Sequence, residues 1–146
     1  EPNPFSFHCL ARNVVENGVG EAVQAHCLGL SDKDGRGRFY MPSFEAGTSG
    51  SSLYDSGLSR LGFAKAEIAV DAFALAADSL IDRYGFTPPQ HIKIDVDSIE
   101  PQILKGAMGL LKSGKVKSLL IEIAPDDAEI PALLADVGFA EARRGI

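Results

Sequence analysis

Hydrophobic positions along this chain recur at two different periods, and the switches between them divide it into predicted strands and helices. Residues 4–17 carry Phe5, Phe7, Leu10, Val14 and Val15 as a broad apolar stripe at helical spacing. Asn3 suits the N-cap of that helix, Pro4 suits its first turn, and Asn17-Gly18 ends it. A strand over residues 23–30, a turn through Ser31-Asp32-Lys33-Asp34-Gly35 and a second strand over residues 38–41 follow. Between residues 43 and 62 the chain becomes polar and small. Gly-Thr-Ser-Gly-Ser-Ser (residues 47–52) cannot build core, so a long loop is expected there, of the kind that serves as a lid.

Residues 68–75 read as a strand, and residues 79–84 as a short helix capped by Asp78 and closed by Gly85 and Pro88-Pro89. A strand over residues 91–96 runs into a helix opened by Pro101. That helix presents Ile103, Leu104, Ala107, Met108 and Leu111 at helical spacing and ends near Gly114. Residues 116–124 are almost wholly apolar, which predicts a strand covered on both faces. A last helix is expected over residues 128–137, with a short final strand allowed at 139–143. Strands alternating with helices predict an α/β fold with a mostly parallel sheet flanked by helices.

With 146 residues the chain is sized for one domain, and no linker or internal repeat is visible. A net charge of -6 argues against nucleic acid, because phosphate neutralisation needs a basic surface. No apolar run approaches the roughly 20 residues that a membrane span requires, and no signal peptide is present. Small molecules or proteins are the expected partners. Cys9 and Cys27 each follow a histidine and precede a leucine, without zinc-ligand spacing. Both lie in apolar periodic segments, so buried free thiols are expected, in a reducing, cytoplasmic setting. The basic pair Arg143-Arg144 reads as a solvated end.

The candidate chemistry lies where strands end in acids. In open α/β sheets, ligands bind beyond the carboxyl ends of strands. Asp95, Asp97 and Glu100 crowd the end of the strand over residues 91–96. If Asp95 and Asp97 are both extended they face one side. Clustered carboxylates raise one another's pKa, which suits one of them to take a proton from a hydroxyl. They could instead ligate a divalent cation, or simply cap the helix and make turn hydrogen bonds. Glu1, before Pro2-Asn3-Pro4, reads as a second strand end; its carboxylate suits a cofactor ribose, or equally the positive end of the helix behind it. Glu122 is an acid inside an apolar run, placed to line the same crevice or to pair with Lys93 or Lys117.

Taken together, these residues resemble the FkbM-type methyltransferases, S-adenosylmethionine-dependent enzymes with a Rossmann-like class I fold. Glu1-Pro2-Asn3-Pro4, with Leu10, Asn13 and Asn17 behind it, is similar to one family segment. Residues Ile92 through Glu100, with Leu104-Lys105-Gly106-Ala107, are similar to a second, and Ile121-Glu122-Ile123 to a third strand end. The resemblance implies that Glu1 binds the cofactor ribose and that Leu30, Ser31 and Asp32 lie near its adenine. It implies that Asp95, Asp97 and Glu100 face the transferred methyl and the acceptor, a hydroxyl of a small molecule or sugar. Asp97 stands where the family usually has glutamate, and Ser98 where it has glycine. The family's first strand and glycine-rich loop are expected to precede Glu1, so the chain reads as part of a longer polypeptide, one that binds cofactor poorly by itself. A nicotinamide-dependent oxidoreductase and a non-catalytic Rossmann-like binding module are the rival readings, since a strand-end acid on ribose also serves nicotinamide cofactors.

Overall fold

The computed structural model describes residues 1–53, 68–97, 99–124 and 126–142. Helix α1 (Pro4–Glu16) forms where the apolar stripe predicts it. The Asn3 side chain accepts hydrogen bonds from the backbone N–H groups of Phe5 at 2.9 Å and Ser6 at 3.3 Å, and Gly18 closes the far end with φ 64°. None of the helix's own residues is fully buried.

Three strands form the first sheet: β1 (Gly29–Leu30), β2 (Gly35–Met41) and β3 (Ile68–Leu75), in the order β1-β3-β2. The β1–β3 pair is parallel and the β2–β3 pair antiparallel. Register explains the burial. Phe39 faces Val70 and Met41 faces Ile68 on the core side, while Arg38 faces Asp71 on the outer side, with 3.9 Å between their charges. Phe73, opposite Arg36, remains exposed on that outer side.

Helix α2 (Ala77–Asp82) follows and ends before Gly85, which has φ 71°. Strand β4 (His91–Ile94) pairs in parallel with β5 (Ser118–Ile121), and this second sheet is not hydrogen-bonded to the first among the described residues. The predicted helix after Pro101 is two short ones, α3 (Glu100–Lys105) and α4 (Met108–Lys112), broken at Gly106-Ala107. Helix α5 (Glu129–Asp136) completes the set; the Asp127 carboxylate accepts from the N–H groups of Glu129 and Ile130 at 2.8 and 3.1 Å. Helix α2 packs on α4, and α3 on α5. One core joins both sheets to these helices, centred on Met41, Leu104 and Ile130.

The mixture of helices and strands follows the sequence pattern. Two of the three strand pairings among the described residues are parallel, but they fall in two small sheets and the longest ladder, β2–β3, is antiparallel. Of the strand expected over residues 23–30, only Gly29 and Leu30 pair; most of residues 23–28 are exposed. Strand β5 is open on one face, where Leu120 is 64% exposed, because α3, α4 and α5 cover only the side of Leu119 and Ile121. Asp78 does not cap its own helix. It reaches across to α4, accepting from the N–H groups of Gly109 and Leu110, both at 2.7 Å. Residues 139–142 form no strand. The rest of the loop expected to residue 62, the Ser98 substitution and Arg143-Arg144 lie outside the described residues.

Both cysteines are free and exposed, contrary to the expectation of burial. Cys9 lies on α1, none of whose residues is fully buried, and Cys27 precedes the paired part of β1. Among the described residues no helix is long and apolar enough to cross a membrane, and no three His, Cys, Asp or Glu side chains are placed to hold a metal ion.

Candidate active site

A cleft of about 610 Å³ opens between the edge of β1 and the edge of β4. That volume is in the range of small-molecule sites. Glu1, Asn3 and Ser6 at the start of α1 form one wall, together with Leu28, Gly29 and Leu30. Lys93 through Asp97 form the other, and Phe39, Leu53, Ile99 and Ile103 supply apolar lining. Residues Gly47, Thr48, Ser49, Ser51 and Ser52 also line the cleft.

Local chain geometry fixes Glu1. Its backbone nitrogen donates to the His26 carbonyl at 3.2 Å, which sets it beside the approach to β1. Its Oε1 accepts from the Asn3 N–H at 2.7 Å, so the turn that caps α1 also aims this carboxylate. Asn3 itself is buried.

Across the cleft, Asp95 comes just after β4, where the Glu122 N–H extends the ladder by donating to the Ile94 carbonyl at 3.2 Å. Lys93 and Asp95 share a face through the two-residue period of a strand, and Lys93 Nζ lies 2.6 Å from Asp95 Oδ2. This ammonium holds the Asp95 carboxyl below the usual carboxylate range, chiefly by its hydrogen bond, with a further hydrogen bond to the Glu122 carboxyl and the charge of Lys93 adding to the effect. Asp95 in turn raises the Lys93 ammonium above its ordinary value, with help from the charge of Glu122. The mutual raising expected of an acidic cluster does not occur at Asp95, because a cation sits among the acids.

Asp97 is turned to other work: its Oδ2 accepts the Gly50 N–H at 2.7 Å. The Gly47 N–H likewise donates to Ser6 Oγ at 3.0 Å, and Tyr40 and Ser52 exchange two backbone hydrogen bonds of 2.8 and 3.0 Å. Residues 47–52 are thereby tied to α1, to the end of β4 and to β2.

Of the residues singled out from sequence, Glu1, Leu30, Asp95 and Asp97 line one cleft. Ser31, Asp32 and Glu100 are not part of its lining. Ser31 is buried beneath Gly106, Asp32 is exposed, and Glu100 occupies the first turn of α3. Glu122 is not part of the lining; it acts on the pair from beside it, its charge helping to raise Lys93 and its carboxyl helping to lower Asp95. Sequence reasoning missed Ser6 and Lys93 as site residues. Lys93 was within reach, since it alternates with Asp95; Ser6 carries no local signal.

Glu1 and Asp95, from the two motifs that carry the resemblance, thus line one cleft. The family model described as the methyltransferase FkbM domain matches residues 1–140. The chain belongs to the FkbM methyltransferase family. No curated protein and no solved structure matches it. The match takes in both walls of the cleft and the helices behind β4 and β5, so the FkbM domain includes every residue of the site described above.

Proposed function

We propose that this domain transfers the methyl group of S-adenosylmethionine to a hydroxyl on a small molecule or sugar, within a Rossmann-like fold. The observation that carries the reading is that Glu1 and Asp95 line the same cleft from opposite walls. The residues fit such a cofactor: a carboxylate suits a ribose diol, and Leu28 and Leu30 offer apolar surface for a purine. When bound, the cofactor supplies an electrophilic methyl on a sulfonium.

The chain's own residues do the rest. Glu1 accepts hydrogen bonds from the ribose hydroxyls, with Asn3 fixing its position. Asp95 accepts the hydrogen bond of the acceptor hydroxyl and then its proton. Its lowered pKa makes it a weak base, and that is sufficient, because an alkylated hydroxyl oxygen is strongly acidic and loses its proton late. Most of the rate then comes from positioning. The reading also expects a glycine-rich loop beside the cleft, so residues 1–146 by themselves bind cofactor weakly. Free, accessible thiols suit a cytoplasmic setting, and the acidic balance suits an acceptor other than nucleic acid.

Calorimetric titration of the intact protein with S-adenosylhomocysteine tests this reading. Micromolar-range binding that falls roughly tenfold or more in Glu1→Ala supports it, as expected for loss of charge-assisted hydrogen bonds. Binding of a nicotinamide cofactor in its place, or of neither, overturns it.

A further inference from the structure

Asp97 sits where a proton acceptor is expected, yet one of its oxygens is already committed. Its Oδ2 lies 2.7 Å from the backbone nitrogen of Gly50, 47 residues earlier in the chain. Gly50 has φ 83° and Gly47 has φ 79°, conformations that favour glycine and that turn these two N–H groups toward opposite walls. Gly47 donates to Ser6 on the α1 wall, and Gly50 to Asp97 on the β4 wall. Between these anchors, Thr48 and Ser49 line the cleft, so the segment spans it from wall to wall. At its base, Ser43 Oγ, Thr48 Oγ1 and the Glu45 backbone close a small ring of hydrogen bonds that stiffens the approach. At the other end, the Tyr40–Ser52 bridge fastens it to β2.

We propose that Asp97 is a positioning residue: its carboxylate latches the strap of residues 47–52 across the cleft through the Gly50 N–H and so sets the space left to ligand. The proposal deepens the methyl-transfer reading and rests on it for the identity of that ligand. A charge-assisted hydrogen bond from a backbone N–H is among the stronger single contacts available to a loop, and here its donor Gly50 is buried. A strap held in this way needs an acceptor at position 97 but not a proton-accepting one. An asparagine, whose side-chain oxygen also accepts, should therefore serve where an alanine cannot.

Amide hydrogen exchange of the intact protein, with Asp97→Ala and Asp97→Asn compared, decides this. In Asp97→Ala the Gly50 amide should exchange roughly tenfold faster or more, the energy of a hydrogen bond to a charged group being lost. Core amides such as Leu104 should keep their rates. In Asp97→Asn the protection of Gly50 should largely return. Dissociation of S-adenosylhomocysteine, followed by rapid mixing, should speed up in Asp97→Ala and recover in Asp97→Asn. Equal Gly50 exchange in all three proteins overturns the latch, as does an asparagine variant as loose as the alanine one. A latch seen by exchange with unchanged dissociation overturns the positioning role. A parent protein that binds no S-adenosylhomocysteine refutes the methyl-transfer reading and the role toward ligand with it, while the exchange rates still report on the latch.

Discussion

Gly106 lies directly against Ser31: a β-carbon at position 106 would stand 1.9 Å from the Ser31 carbonyl oxygen and 3.2 Å from the Asp32 α-carbon. The obstacle is backbone, which cannot swing aside as a side chain would. This contact presses the break between α3 and α4 onto the turn after β1, and so holds the two sheets in one body. Gly106→Ala should cost about 3 kcal/mol, the upper part of the range for overpacking a tight site. Urea unfolding should show a lower midpoint with an unchanged slope. A midpoint equal to that of the parent would mean the two layers slide freely past one another.

Helix α4 has only five residues and no side-chain cap of its own. Asp78 supplies one from α2, binding two successive N–H groups. Asp78→Ala should destabilise the protein by about 1–2 kcal/mol, as for loss of an N-cap. Asp78→Asn should recover part of this through its remaining acceptor oxygen. Thermal unfolding of the two variants measures the difference, and equal loss in both would show that charge alone mattered.

The Lys93–Asp95 pair gives stability a pH dependence at both extremes. Asp95 is depressed in the folded state, so its contribution is present above about pH 4 and is lost as pH falls through its folded value. Lys93 is raised, so its contribution is complete below about pH 10 and is lost as pH rises through its folded value. Lys93→Met should flatten both limbs and return the Asp95 carboxyl toward the ordinary range. Carbon-detected NMR titration of the Asp95 carboxyl reads this directly. An unmoved titration in the variant would show that Lys93 is not the cause.

Both thiols should react with Ellman's reagent in the folded protein, without denaturant. Cys9→Ser and Cys27→Ser should each remove one equivalent of the released chromophore. A thiol that reacts only after unfolding would contradict the exposure seen for it.

Elements whose signals are local were legible in the sequence. Helix α1 has its cap, its proline and its terminating glycine in order, and β3 matches its pattern from Ile68 to Leu75. Errors arose where a distant partner decides. Val23 has the composition of a strand residue, but its N–H bonds back to the Val19 carbonyl in a turn, and β1 is only two residues long. The break at Gly106 is dictated by Ser31, 75 positions away along the chain by their numbering, and nothing near Gly106 announces it. Cys9 follows an apolar period, yet periodicity reports only which face would be buried, not whether anything lies against it. The acids of the cleft were legible because Glu1 and Asp95 belong to contiguous motifs. Their ties were not: Gly50 to Asp97 and Gly47 to Ser6 each join segments that share no pattern.

Strands β1 and β4 each carry a ladder on one flank only among the described residues, and they look at one another over the cleft. An open flank of that kind can bond any extended backbone that comes within reach. With residues 1–146 alone at high concentration, neighbouring molecules should dock their own strands there and precipitate in a β-rich form. A snugly fitting ligand would work against that fate, acting as a solubilising agent before it acts as anything else.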